Sequence, residues 1–166
     1  MCGILALYNP KADVAKDIYD GLIQLQHRGQ DAAGISSLDS SIMHLHKDTG
    51  LVTEVFKKTK SKVNLTGNLG IGHVRYPTAG NNDVNDSQPF FTSNPVNIAL
   101  AHNGTLTNSD SIRDKLIKTH FCQFNTSSDS EALLNLFAFE LYKTNFRRLT
   151  KNHVIKALKM VYDMCC

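Results

Sequence analysis

The chain has 166 residues, with 18 Lys and Arg against 15 Asp and Glu and a formal charge of +3. One domain's worth of chain buries about 70% of the surface its unfolded form exposes, so no metal or disulfide staple is required. The mild charge excludes a dedicated nucleic-acid binder, no apolar stretch approaches a membrane span, and the N-terminus lacks the basic start of a signal peptide.

In chain order, Gly3 to Tyr8 is a short apolar run that predicts a buried strand, broken at Asn9-Pro10. A helix is expected over Asp13 to Gln26, because Val14, Ile18, Leu22 and Leu25 recur at helical spacing. The polar, glycine-containing run Gln26-His27-Arg28-Gly29-Gln30 ends it. Gly34 to Leu38 and Ile42 to His46 are predicted strands joined by the turn-forming Asp39-Ser40-Ser41. Leu51 to Phe56 fits a helical turn, and Leu69 to Arg75 a strand. Between them, Lys57-Lys58-Thr59-Lys60-Ser61-Lys62 reads as a solvated basic face. Pro77 to Pro89 is rich in Gly, Asn, Asp and Ser and predicts a long loop, a frequent place for function. Val96 to His102 is the next strand, stopped by Asn103-Gly104. Helices follow over Ser109 to Thr119, Asp129 to Tyr142 and His153 to Met164. Mixed strands and helices followed by helices alone suit an α+β fold. The last helix runs into Cys165-Cys166 without a cap or polar tail, so the chain is expected to be cut there.

Four cysteines, Cys2, Cys122, Cys165 and Cys166, match no zinc module or disulfide framework, and a reduced, cytoplasmic protein is the expectation. Cys2 carries the most chemistry. Removal of Met1 would leave a thiol and a free α-amine on one residue, and that amine, with a reference pKa of about 7.7–8.0, can accept a proton at neutral pH. The plain alternative is a small hydrophobe at a strand start. In Gly72-His73-Val74-Arg75-Tyr76-Pro77-Thr78-Ala79-Gly80, Arg75 stands where a strand gives way to a loop. Its planar fork suits a carboxylate, or it is a surface arginine. In His102-Asn103-Gly104, a side-chain amide beside a free backbone N–H could form an oxyanion hole, or an ordinary Asn-Gly turn. Ser128-Asp129-Ser130-Glu131 has the spacing of a capping box, and Asp129 could also pair with a ligand ammonium. His44 and His46 share a strand face but lack further ligands at metal spacing, so no metal site is expected. His73 or His102 could form a papain-like pair with Cys2, though a processed Cys2 would not need one.

Taken in order, Cys2-Gly3-Ile4, Gln26-His27-Arg28-Gly29-Gln30-Asp31-Ala32-Ala33-Gly34, Gly72 through Gly80, His102-Asn103-Gly104 and Ser128 through Glu131 resemble the class II glutamine amidotransferases. These are N-terminal-nucleophile hydrolases, and Gln26 through Asp31 and Arg75-Tyr76-Pro77-Thr78 follow the purine-pathway form. The resemblance runs from Cys2 to about Tyr142, and more faintly through the last helix. It implies an α+β fold, an αββα sandwich of two antiparallel sheets between helix layers, truncated at its C-terminus. It also implies residues 1–166 as an incomplete type-2 amidotransferase domain, without the phosphoribosyltransferase domain that follows in that branch. The implied activity is hydrolysis of L-glutamine to glutamate and ammonia through a Cys2 thioester, at the first committed step of purine nucleotide synthesis. The implied roles are Cys2 as nucleophile, Asn103 and Gly104 as oxyanion donors, Arg75 on the α-carboxylate and Asp129 on the α-ammonium. Arg28, Tyr76 and Thr78 would support or cover the site. No cofactor is implied for this chain, magnesium belonging to the absent domain. Homo-oligomers are implied, nucleic-acid and membrane partners are not. The competing expectation is a fragment or pseudoenzyme that keeps these residues without turnover.

Overall fold

A computed structural model describes residues 1–57, 65–76, 84–120 and 122–165. The chain divides into two units, Met1–Phe90 with Ala99–Asn103, and Phe91–Ile98 with Gly104–Cys166, each taken here by itself.

The first unit is built on a four-stranded sheet in the order β1-β4-β2-β3, where β1 is Gly3–Tyr8, β2 Ala32–Asp39, β3 Ile42–Thr49 and β4 Leu69–Arg75. Every neighbouring pair is antiparallel. The register sets Leu5, Gly72 and Ile35 level across three strands, so their side chains share one face. Helix α1 (Ala15–Leu25) lies on that face. Its predicted stripe is confirmed: Val14, Ile18 and Leu22 are buried, and Leu25 packs against the same cluster. Each fully buried aliphatic side chain contributes roughly 1.5–3 kcal/mol. The approach is close enough that a Cβ on Gly72 would stand 2.5 Å from Ile18 Cγ2, so glycine sets the helix-to-sheet distance. Helix α2 (Val52–Lys57) completes the layer with buried Val52 and Val55.

Strands β1 and β4 keep their expected bounds, while β2 and β3 are longer than predicted because they pair from Ala32↔Thr49 to Asp39↔Ile42. Ser40, in the two-residue turn between them, takes φ 56°. His44 and His46 are engaged locally, with Thr66 Oγ1 at 3.2 Å and the Val55 carbonyl at 3.1 Å. Apart from Lys57, the basic run lies outside the described residues, as do Cys166 and the start of the Pro77–Pro89 loop.

A separate two-stranded sheet pairs β5 (Phe90–Thr92) with β6 (Ile98–Leu100). Strand β5 was not anticipated from the sequence. The expected strand from Val96 to His102 contracts to β6 for a clear reason at its far end. The Gln88 side chain takes the His102 backbone, accepting from its N–H at 2.6 Å and donating to its carbonyl at 3.1 Å.

The second unit holds α3 (Ser109–His120), α4 (Asp129–Lys143) and α5 (Lys151–Met164) around Leu106, Ile112, Leu116, Ala132, Leu136 and Val161. Helix α5 buries only part of its apolar surface. Ala157 and Val161 are buried, while Ile155, Leu158 and Tyr162 are exposed. The capping box expected at α4 is corrected. The Ser128 hydroxyl accepts from the Ser130 N–H at 3.3 Å, but Glu131 does not reach back to Ser128. Its buried carboxylate instead accepts from the Asn125 and Thr126 backbone N–H groups at 2.9 and 2.8 Å, and from the Thr126 hydroxyl at 2.8 Å. A short loop with several unpaired donors outcompetes a single donor at Ser128. No described helix is long and apolar enough to cross a membrane.

Candidate active site

The first unit gathers its polar groups at the start of β1. The β1–β4 register pairs Gly3 with Val74, and one further step sets Cys2 level with Arg75. The half-buried Cys2 receives three donors. The Tyr76 backbone N–H points at its sulfur at 3.4 Å, and the Arg28 Nε–H and the Asn103 side-chain amide both donate to its carbonyl oxygen, at 3.2 and 3.1 Å. Met1 is present and exposed, its sulfur 3.9 Å from Arg28 Nη2, so the Cys2 nitrogen is a peptide amide in this form.

Local structure explains how each of these groups reaches its place. Arg28 ends a single 3₁₀ turn, Gln26–Arg28, that follows α1. Gln26 ties that turn down, donating to the Gly29 carbonyl at 2.5 Å and accepting from the Val52 N–H at 2.7 Å. Gly29 is extended, with φ −163°, a conformation open to any residue. Glycine is needed there because a Cβ would lie 2.5 Å from the Arg75 carbonyl carbon and 2.6 Å from its oxygen. The Asp31 N–H then bonds the same Arg75 carbonyl at 3.1 Å. The segment from Gln26 to Asp31 is therefore moulded around the backbone of Arg75. The Arg75 guanidinium itself has no hydrogen-bond or ion-pair partner among the described residues.

Asn103 is held at both ends. Its neighbour His102 is clamped by Gln88, and its own Oδ1 lies 3.1 Å from His73 Nε2. His73 is fully buried, and burial lowers its pKa to about 4, with Arg75 and His102 pushing the same way. Its ring is therefore neutral at physiological pH. Neither ring nitrogen bonds Cys2: Nε2 faces Asn103, and Nδ1 has no hydrogen-bond partner among the described residues. A His73–Cys2 pair of papain type is thus not formed. Sequence reasoning missed Gln88; its only signal was a polar residue just ahead of the apolar Pro89-Phe90.

Of the residues predicted from sequence, Cys2, Arg28, Arg75, Tyr76 and Asn103 meet in this unit. Gly104 and Asp129 belong to the second unit, and Thr78 lies outside the described residues. Asp129 opens α4, where its carboxylate accepts from the Leu106 N–H at 2.8 Å and from the Ser130 hydroxyl at 3.2 Å. Arg113 supports that helix start, donating to the Thr126 carbonyl at 2.8 Å and to the Ser128 carbonyl, with its guanidinium 4.5 Å over the Phe124 ring.

The chain that carries this second-position cysteine, with an arginine, an asparagine amide and a backbone N–H around it, is similar to known proteins along most of its length. A family model described as a glutamine amidotransferase domain matches residues 73–153. The chain belongs to the class II glutamine amidotransferases and has their α+β, N-terminal-nucleophile fold. The relatives are amidophosphoribosyltransferases. That of Pseudomonas aeruginosa is 44% identical over 165 residues, 99% of this chain and 32% of the relative. That of Escherichia coli is 50% identical over 148 residues, 89% of this chain and 28% of the relative. A solved structure described as the allosteric regulatory enzyme of purine biosynthesis matches with a TM-score of 0.75 at 35% identity, over 96% of this chain and 33% of that one. The glutamine phosphoribosylpyrophosphate amidotransferase of B. subtilis, complexed with ADP and GMP, matches with a TM-score of 0.73 at 35% identity. The chain spans about a third of the length of the curated relatives it matches.

Proposed function

We propose that this chain carries out the glutaminase half-reaction of a cytoplasmic enzyme that transfers amide nitrogen at the start of purine nucleotide synthesis. The observation that carries the reading is the convergence of the Tyr76 N–H, Arg28 and Asn103 on Cys2. Once Met1 is removed, the Cys2 α-amine takes the thiol proton, and the sulfur attacks the side-chain carbonyl carbon of glutamine. The carbonyl oxygen becomes an oxyanion. An Nδ2 amide has two hydrogens, and only one of those on Asn103 is engaged by the Cys2 carbonyl. The second is assigned to the oxyanion, together with the Gly104 N–H. Collapse expels ammonia, which carries away the proton from the amine, and water hydrolyses the thioester to glutamate. Arg75 is assigned to the glutamine α-carboxylate, since a planar fork with no partner among the described residues fits that group, and Asp129 to the α-ammonium. Arg28 and Tyr76 are assigned to support or cover the site. The nucleophile, base and oxyanion donors are all groups of the chain, so the reading assigns no resident cofactor. Full-length relatives link this half-reaction to a phosphoribosyl acceptor, and we extend that link, and homo-oligomeric assembly, to the protein that carries this domain.

The test is ammonia and glutamate release by the chain after mass spectrometry has shown whether Met1 is gone. Turnover is expected only in the processed form, and Cys2→Ser should lower it by at least 100-fold. A folded, processed chain without turnover would favour the non-catalytic alternative, and turnover that survives Cys2→Ala would overturn the mechanism.

A further inference from the structure

Among the described residues of the first unit, His73 is the one fully buried titratable group that the proposed chemistry does not use. The inference drawn from it rests on the glutaminase reading above. We propose that His73 is a positioning residue that sets which end of the Asn103 amide faces Cys2, and so keeps an N–H donor directed at the oxyanion position.

The argument starts from the one group whose polarity is fixed. A backbone carbonyl oxygen only accepts, so the Asn103 atom 3.1 Å from the Cys2 oxygen must be the amide nitrogen. The other end of the amide, Oδ1, is then an acceptor, and it lies 3.1 Å from His73 Nε2. A hydrogen bond forms there only if the proton of the neutral ring sits on Nε2. The chain of bonds is consistent in that one direction: His73 Nε2–H to Asn103 Oδ1, then Asn103 Nδ2–H to the Cys2 carbonyl. With the other tautomer, two acceptors would face each other at His73, and the Cys2 carbonyl alone would oppose a turn of the amide. A turned amide would aim its oxygen at Cys2, where the oxyanion would be repelled.

Two further observations support the lock. Among the described residues Nδ1 has no hydrogen-bond partner, so a second proton on the ring would strand a buried N–H, whereas the neutral Nε2–H form leaves only a bare acceptor. Asn103 is itself exposed. An exposed asparagine is otherwise free to exchange its two ends with solvent, and the buried ring supplies the restraint that solvent cannot. The rigidity of His73 comes from β4, where it is paired with Ile4 on one side and Gly34 on the other.

Two measurements on the whole chain decide the matter. The first does not need activity. Nitrogen-15 NMR of the imidazole reports the tautomer, and His73 should be neutral and protonated on Nε2 between pH 6 and 8. A ring protonated on Nδ1 alone, with Nε2 bare, would overturn the proposal whether or not the chain hydrolyses glutamine. The second compares His73→Leu, which fills the space without a donor, with His73→Gln, whose amide N–H₂ falls near the position of Nε2. Losing a correctly aimed oxyanion donor lowers kcat by up to about 100-fold or more. We expect about a 10- to 100-fold fall in kcat for His73→Leu, with the KM for glutamine changed less than about three-fold, and recovery to within about five-fold of the parent in His73→Gln. Equal losses in both variants, with both folded by circular dichroism, would mean that His73 only fills space. An inactive parent chain would sink the glutaminase reading, and the NMR result would still decide the orientation of Asn103.

Discussion

The two units place their functional side chains by different physical means. In the first, position comes from the sheet. Strand register sets Cys2 beside Arg75, and glycines at 29 and 72 let backbone and helix approach within distances that a Cβ would forbid. In the second, position comes from polar side chains folded inward. Glu131 gathers the donors of residues 125 and 126, Arg113 gathers the carbonyls of 126 and 128, and between them they fix the start of α4 and hence Asp129. A site held by register should fail when space is filled. A site held by buried polar bonds should fail when a partner is removed.

The largest expected effect tests the second unit. Glu131→Ala removes one carboxylate and strands the Asn125 and Thr126 N–H groups and the Thr126 hydroxyl. With each unsatisfied donor costing about 1–3 kcal/mol and water replacing part of the loss, destabilisation of about 3 kcal/mol is expected. Urea unfolding measures it. A cost below about 1 kcal/mol would mean that the α3–α4 packing, and not the carboxylate, holds this loop.

Next in size is Gly29→Ala in the first unit. The added methyl meets backbone atoms of Arg75, which cannot rotate away as a side chain could. Overpacking of this kind costs about 2–3 kcal/mol, and here it also displaces Arg75 and Arg28. Glutamine affinity should fall together with stability. A stable variant with normal affinity would show that the 26–31 segment adapts to β4, and the contrast between the units would weaken.

How far the sequence was legible follows the same division. The strands β1 and β4 announce themselves as short apolar runs and α1 by its helical stripe, whereas the motifs that carry Cys2, Arg75 and Asn103 took their meaning from their order along the chain and the family it resembles. Gly29 was legible only as a helix stop; its reason, the backbone of Arg75, lies 46 positions along the chain. Ser128 followed by Glu131 reads as a capping box by spacing alone. Nothing local says that the carboxylate will turn to residues 125 and 126. Gln88 was invisible for the same reason, because its partner is the backbone of His102, and any residue type there would present the same N–H and carbonyl. His73 could be read as a catalytic base or as a core residue. What separates the two is a single distance to Asn103, set by how the segment leading to residue 103 lies on β4.

The smallest effect, and the one that connects the site to the stability of its unit, is the response to acid. The buried His73 ring has its pKa lowered to about 4, against an ordinary value of 6.5, first by burial and then by the charge of Arg75 and by His102; the bond to Asn103 works in the opposite direction. Between those two values the unfolded chain binds a proton that the folded chain refuses. Stability therefore rises with pH across this window, is fully present above about 6.5, and is lost as the pH falls toward 4. From pH 7 to pH 5 the loss assignable to this ring is about 2 kcal/mol. Urea unfolding of the parent and of His73→Gln at pH 5, 6 and 7 isolates it, because the glutamine variant has no ring to protonate while every other titrating group is shared. The variant should show a shallower decline by about that amount. Parallel declines would mean that His73 takes up its proton without leaving the folded state, so that burial does not keep the ring neutral.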